Sequence, residues 1–384
     1  MPHEQSVDLI AEHETWISVD PILGCPANCA YCYLGPLRLR GARPRSRSSP
    51  EQLGAALRKY LYGRRAELID PETDQTPICL GNYTDMLMTP ANRDAVIEYV
   101  GQIVRVLPNS RPIVLVTKSR VPENLVETLD DFDRPILWFF SQSFARDLSI
   151  PLEAGPISNF DATLENARVV SAARNQKAVH FWRPFVRELS AGLHDKGAIV
   201  RRLREAKMTC SVVVGLKHGP GVPLDDPRLS THIPSHSKDA DETGEAFDHL
   251  GWRRLVAIAK SERYPLYRHT SCAIALAANA KERLGTWGPA TYRSHCLPSS
   301  CPAAQRGRCG PEPDHSDASR WRARISAFLR LPGELITRDP GTGRFEVNAD
   351  VSEFDYNTIL HAAKGRYSMS FRSVTPQKAW FRPR

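Results

Sequence analysis

Short runs rich in β-branched and aromatic residues alternate with longer stretches of helical periodicity over the first 217 residues, and that alternation constrains the fold more than any other feature. The runs are Trp16 to Leu23, Pro77 to Gly81, Pro112 to Lys118, Ile136 to Ser143, Ala178 to Val186 and Thr209 to Leu216. Between them lie stretches such as Pro50 to Ile69, Thr89 to Leu107, Asn159 to Asn175 and Gly192 to Ala206. Each is long enough for the crossover helix that joins two parallel strands. Six β units with five crossovers predict an α/β chain, a partial (βα)6 TIM-like barrel over residues 1–217, because a full eight-stranded barrel takes about 250 residues.

The remainder changes character. Residues 218–310 start as an irregular connection rich in Pro, Gly, Ser, His and Asp, with a helix expected from Gly251 to Glu262 and a Cys-rich extension after it. Residues 311–384 predict a small α+β tail: a helix near Ser316 to Leu331, a hairpin around Pro340 to Gly343, a helix near Ser352 to Lys364 and a strand near Tyr367 to Val374. With 384 residues, 41% of them hydrophobic, the chain can bury a core without disulfides. No apolar run approaches the ~18 residues of a membrane span. The first twenty residues carry Glu4, Asp8, Glu12, Glu14 and Asp20 and no apolar signal region, so a cytoplasmic location is expected. In a reducing compartment nine cysteines are expected as metal ligands, redox groups or core thiols, and not as disulfides.

Directly after the first predicted strand stands Gly24-Cys25-Pro26-Ala27-Asn28-Cys29-Ala30-Tyr31-Cys32. Three thiolates on one βα loop can hold three irons of a [4Fe-4S] cube and leave the fourth without a protein ligand. That open iron can bind the amino and carboxylate groups of a small molecule, and the C-terminal ends of barrel strands are where such sites are built. A zinc knuckle lacking its fourth ligand or three buried cysteines are the plain alternatives, and zinc more often takes paired C-x2-C units.

The triad, with an aromatic residue one position before its third cysteine, resembles the radical S-adenosylmethionine (SAM) superfamily. The layout is most similar to the spore photoproduct lyase branch and its uncharacterised relatives. The resemblance implies that Cys25, Cys29 and Cys32 ligate the cluster and that SAM fills the open iron. An external one-electron reductant such as flavodoxin or ferredoxin then drives cleavage to a 5'-deoxyadenosyl radical. That radical would abstract hydrogen from a nucleotide, nucleoside or natural-product substrate. Polar residues at the predicted strand ends are then expected around the cofactor: Tyr31 on the loop, then Asn82, Thr84, Asp85, Lys118, Ser141, Ser143 and Arg183. Thr84 and Lys118 are the foremost contacts by the resemblance, and Arg183 or Lys118 suits a carboxylate. The lyase carries a hydrogen-donating cysteine where this chain has Asn82, whose amide cannot give up a hydrogen atom as a thiol can, so thymine-dimer lyase activity is not expected. Cys79 is predicted on the opposite strand face from Asn82 and, with Cys210, as a core thiol.

Cys272, Cys296, Cys301 and Cys309 form a second set. Four thiolates complete a second [4Fe-4S] cluster or a tetrahedral zinc site, with an unliganded or mixed set as the third reading, and the cluster is favoured. His269 and His295 flank the set. Arg38, Arg40, Arg43, Arg45 and Arg47 follow the first cysteine loop with no acidic residue among them, and the chain ends Lys378-Ala379-Trp380-Phe381-Arg382-Pro383-Arg384. Arginine beside aromatics suits phosphates and bases, so nucleic acid is a further partner class; a solvated basic loop is the plainer reading. The rival function is an iron-sulfur nucleic-acid-binding or repair protein whose clusters are structural.

Overall fold

A computed structural model describes residues 7–144, 151–191, 195–217, 226–232, 245–281, 299–309, 317–341, 343–363, 367 and 369–376. His295, Cys296 and the basic run from Lys378 lie outside the described residues. The main sheet has eight strands in chain order: β1 (Ile10–Glu12), β2 (Ile17–Val19), β3 (Ile78–Leu80), β4 (Ile113–Thr117), β5 (Ile136–Gln142), β6 (Gln176–Trp182), β7 (Cys210–Val213) and β8 (Leu266–Tyr267). β1 runs antiparallel to β2, and every later neighbour is parallel. The order matches a TIM-like barrel opened along one side, with β1 and β8 as its two edges.

Helices α1 (Pro50–Tyr62), α2 (Pro90–Val106), α3 (Glu123–Asp130), α4 (Phe160–Ser171), α5 (Lys196–Glu205) and α6 (His249–Ser261) lie in the successive crossovers. Their starts are written locally. Ser49 and Gln52 form a capping box on α1, and Thr89, Asn159, Asp195 and Asp248 each accept a backbone N–H of the following turn. The sheet does not stop near residue 217, as the sequence reading expects. α6 leads to a further parallel strand, the two-residue β8, too short for any periodicity to reveal. The six-unit count is therefore corrected to seven parallel strands plus one antiparallel edge.

Alternation along the strands separates two cores. Ile78, Ile113 and Ile136 face the helices, whereas Cys79, Val114 and Leu137 face the concave side. On that side α7 (Thr270–Ala277) packs Ala273, Ile274 and Ala277 against Val179, Cys210 and Val212 and fills part of the bore. A third layer follows in the chain. β9 (Ile336–Arg338) pairs antiparallel with β10 (Phe345–Ser352), and β10 pairs parallel with β11 (Met369–Thr375). α8 (Ala318–Leu329) and α9 (Glu353–Ala363) cover this small sheet, and its core takes in Leu68 and Ile69 beyond α1. Among the described residues no helix is long and apolar enough to cross a membrane.

Candidate functional site at the C-terminal strand ends

After β2, Ile22–Leu23 pairs antiparallel with Arg45–Ser46, and the loop between them starts with a turn at Gly24, φ +97°. A Cβ there would meet the Arg43 carbonyl oxygen at 2.8 Å, so the turn requires glycine. Two flanking segments hold the cysteine loop by its backbone. Cys25 N–H donates to Leu39 O (2.8 Å) and Gly41 N–H to Ala27 O (3.1 Å). Asn28 N–H donates to Ala154 O and Ala30 N–H to Leu152 O, both at 2.8 Å. The Thr84 hydroxyl donates to Gly24 O at 2.5 Å and ties the end of β3 to the start of the loop.

The three thiols line a cavity of about 640 Å³ at the C-terminal ends of the strands. Tyr31, Asn82, Thr84, Asp85, Lys118, Ser141 and Arg183 line it with them. Ser143 is buried and interacts with Tyr31 and Glu153 instead. Burial pushes the Cys25 thiol up to about 12, with the nearby Asp85 adding to the effect. Burial also raises Cys29 and Cys32. Left as bare thiols these groups stay protonated, whereas a metal supplies the positive charge that turns buried thiols into ligands. Among the described residues no three Cys, His, Asp or Glu side chains converge on a single ion. A cube does not require that convergence, since each thiolate binds its own iron. Three thiols on one loop are a donor set that such a cluster could use.

Several polar strand ends are occupied by one another. The Asp85 carboxylate accepts from Thr117 Oγ1 (2.8 Å), Lys118 N (2.7 Å), Ser119 Oγ (3.3 Å) and Leu87 N (2.9 Å), knotting β3 to β4. Burial still raises its pKa. Asn82 donates its side-chain amide to Ser18 Oγ (2.8 Å) and its backbone N–H to Asp20 Oδ1 (2.5 Å). Lys118 Nζ meets Glu153 Oε1 at 2.6 Å and Ser141 O at 3.2 Å. Burial works against its ammonium, but Glu153 outweighs that and holds the pKa above the ordinary lysine value. Tyr31 donates its hydroxyl to the same carboxylate. Arg183 differs. Its guanidinium lies 5.8 Å from the Tyr33 ring and 5.9 Å from the Phe181 ring, and among the described residues its side chain makes no hydrogen bond.

Three residues of this neighbourhood carry no motif signal. Glu153 sits in an irregular stretch between β5 and α4. Asp20 anchors the backbone of Asn82 and Tyr83. Arg268 stacks 3.6 Å over Phe247 and pairs with Glu245 at 3.1 Å, where all three line the far side of the cavity. One expectation fails outright: Cys79 does not face away from Asn82. Its thiol donates to Asn82 Oδ1 at 3.7 Å, because β3 ends at Leu80 and Gly81, with φ +87°, reverses the chain so that strand alternation no longer applies. Cys79 and Cys210 are both fully buried.

In the second set, Cys272 and Cys301 pack against the concave core, and Tyr267 donates its hydroxyl to Cys301 Sγ at 3.5 Å. Gln305 Nε2 donates to Cys309 Sγ at 3.4 Å. His269 lines the cavity at the start of α7.

No protein-family model matches the chain, and no curated protein matches it. Among solved structures, spore photoproduct lyase complexed with dinucleoside spore photoproduct overlaps with a TM-score of 0.49 at 15% identity, over 68% of this chain and 77% of that one. A variant of spore photoproduct lyase with bound AdoMet and dinucleoside spore photoproduct gives 0.48 at 14% identity, over 68% and 77%. The overlap is partial and remote.

Proposed function

We propose that this chain is a radical SAM enzyme. One observation carries the reading: a three-cysteine βα loop, braced by its neighbours, opens into a large cavity walled by the polar C-terminal ends of parallel strands. A cluster with a purely structural role needs no such cavity beside it, which disfavours the nucleic-acid-binding alternative. Cys25, Cys29 and Cys32 would hold a [4Fe-4S] cluster, and Thr84 and Asp85 fix the loop and strand ends around it. Such a cluster would supply one electron, and breaking the C5'–S bond of SAM with it would yield methionine and a 5'-deoxyadenosyl radical. Arg183, stacked on two rings and without a side-chain hydrogen bond among the described residues, is the group best placed to take the SAM carboxylate, and Lys118 is held charged by Glu153 on the same wall. Phe181, Phe247 and Trp252 give the cavity apolar and stacking surface suited to a nucleoside, nucleotide or natural-product substrate.

Within this reading Cys272, Cys296, Cys301 and Cys309 are proposed to ligate a second [4Fe-4S] cluster; the support is their number. Eight irons per chain after anaerobic reconstitution, by the count of about four per cube, would fit that proposal, and four would remove it. The principal test is incubation of the reconstituted protein with SAM and dithionite under anaerobic conditions. Release of 5'-deoxyadenosine is expected, and its absence from protein with a full iron complement overturns the assignment.

A further inference from the structure

Glu153 is buried and does not line the cavity. It stands behind the wall that Tyr31 and Lys118 present to that cavity, and both bond to it. The Tyr31 hydroxyl donates to Oε1, and Lys118 Nζ meets the same oxygen at 2.6 Å. Ser143, the residue after β5, hydrogen-bonds the carboxylate as well. One carboxylate therefore joins the cysteine loop to the ends of β4 and β5.

The backbone around Glu153 follows the same loop. Asn28 N–H donates to Ala154 O and Ala30 N–H to Leu152 O, so the two segments run side by side in opposite directions, with Cys29 opposite Glu153 in the register. Leu152 packs with Ala30, Ile157 packs with Ala27 and Cys29, and Ser158 N–H donates to Lys118 O at 2.6 Å. Residues 152–158 thus brace the cysteine loop along its length. A buried carboxylate is costly unless its partners compensate it, and an apolar residue would fill the same space without that cost. Backbone bonds and apolar packing already pin the brace, so packing alone gives no reason for an acid there. We infer that Glu153 is a positioning residue: it fixes Tyr31 and Lys118, and through Tyr31 the placement of the three thiols, before any metal is bound. The inference takes its purpose from the cluster reading above, because a loop already shaped for three irons loses less freedom on taking them up. Glu153 acts only through other residues and touches no ligand in the cavity.

The test starts from the metal-free, reduced full chain. Labelling by N-ethylmaleimide is followed cysteine by cysteine with mass spectrometry, and the fully buried Cys79 and Cys210 report any general loosening. Glu153→Ala should speed the labelling of Cys25, Cys29 and Cys32 by about tenfold or more, the factor expected when local opening no longer breaks hydrogen bonds to a charged group, while Cys79 and Cys210 stay unchanged. Tyr31→Phe removes only the loop's own bond to the carboxylate and should give the same pattern with a smaller rise. Glu153→Ala/Lys118→Met leaves no orphan charge, covers the case in which the single variant does not fold, and should expose the triad as Glu153→Ala does. Iron uptake on anaerobic reconstitution should be slower in both Glu153 variants than in wild type. Triad protection regained in the double variant would overturn the inference, since Glu153 would then be only the counter-ion of Lys118. Equal labelling of wild type and variants would overturn it too, as would Cys79 and Cys210 rising together with the triad, the mark of a residue that merely stabilises the fold. Unchanged iron uptake beside an exposed triad would overturn its purpose. Labelling needs neither iron nor SAM, so an exposed triad in the variants with no 5'-deoxyadenosine release from wild type would reject the cluster reading alone.

Discussion

The two ends of the main sheet both bury charge, and they resolve it in opposite ways. At the N-terminal ends, Arg65 meets Glu12 at 3.1 Å and Asp74 at 2.7 Å, and Arg111 meets the same Asp74 at 2.6 Å. Tyr60, Thr76 and Asn109 complete the network, and His361 of α9 brings the C-terminal layer to Glu12 at 2.6 Å. At the C-terminal ends, the three thiols and Arg183 face a cavity and the Lys118–Glu153 pair borders it. A closed network locks elements together; a half-open one leaves valence for a ligand. Barrel folds commonly keep stability at the N-terminal face and chemistry at the other, and here the hydrogen-bond accounting alone makes the division.

Removing the three cysteines proposed as cluster ligands should break the open end most completely. Cys25→Ala/Cys29→Ala/Cys32→Ala should lose about four irons per chain and all SAM cleavage, read by iron assay and 5'-deoxyadenosine release, while the sheet stays folded by circular dichroism. At the closed end, Arg65→Met leaves Glu12 and Asp74 buried without their shared cation. Urea denaturation should show a loss of about 3–5 kcal/mol. The same network sets an acid limit. Burial alone would raise the Glu12 carboxyl, but Arg65, His361 and Tyr60 outweigh it and hold the pKa at about 2, against an ordinary 4.5. Its contribution to stability is complete above the ordinary value and lost as pH falls through about 2, so the midpoint of urea unfolding should drop between pH 4.5 and 2. Arg65→Met should flatten that slope.

Lys118→Met sharpens the contrast, because it strips a buried Glu153 of its cation. It should cost about 1–3 kcal/mol of stability and also weaken SAM binding in calorimetry, with iron content unchanged. Arg183→Ala should have the smallest structural effect. Stability should move by no more than about 0.5 kcal/mol, whereas SAM affinity should fall about tenfold, consistent with losing a charge-assisted hydrogen bond. A large stability loss in Arg183→Ala would place it with the closed network instead.

The alternation of strands and helices was legible because each crossover exceeds a dozen residues and every crossover helix but α3 has a side-chain N-cap. That Cys25, Cys29 and Cys32 line one cavity was legible because they lie within eight consecutive residues. β8 was not, since two residues carry no period, and neither was the face of Cys79, which the turn at Gly81 decides. Glu153 left no trace in a stretch without motif, and its meaning comes from Lys118, 35 residues away in the chain.

What the sequence by itself determined is therefore local: which segments are strands and helices, which loop can carry a cluster, and where positive charge accumulates. Those properties depend on side-chain period, backbone freedom and ligands close along the chain. Only the tertiary structure decided which polar groups satisfy one another and which remain facing the cavity. That selection depends on distances between residues far apart in sequence, and a buried charge acquires its role only from the partner that folding brings to it.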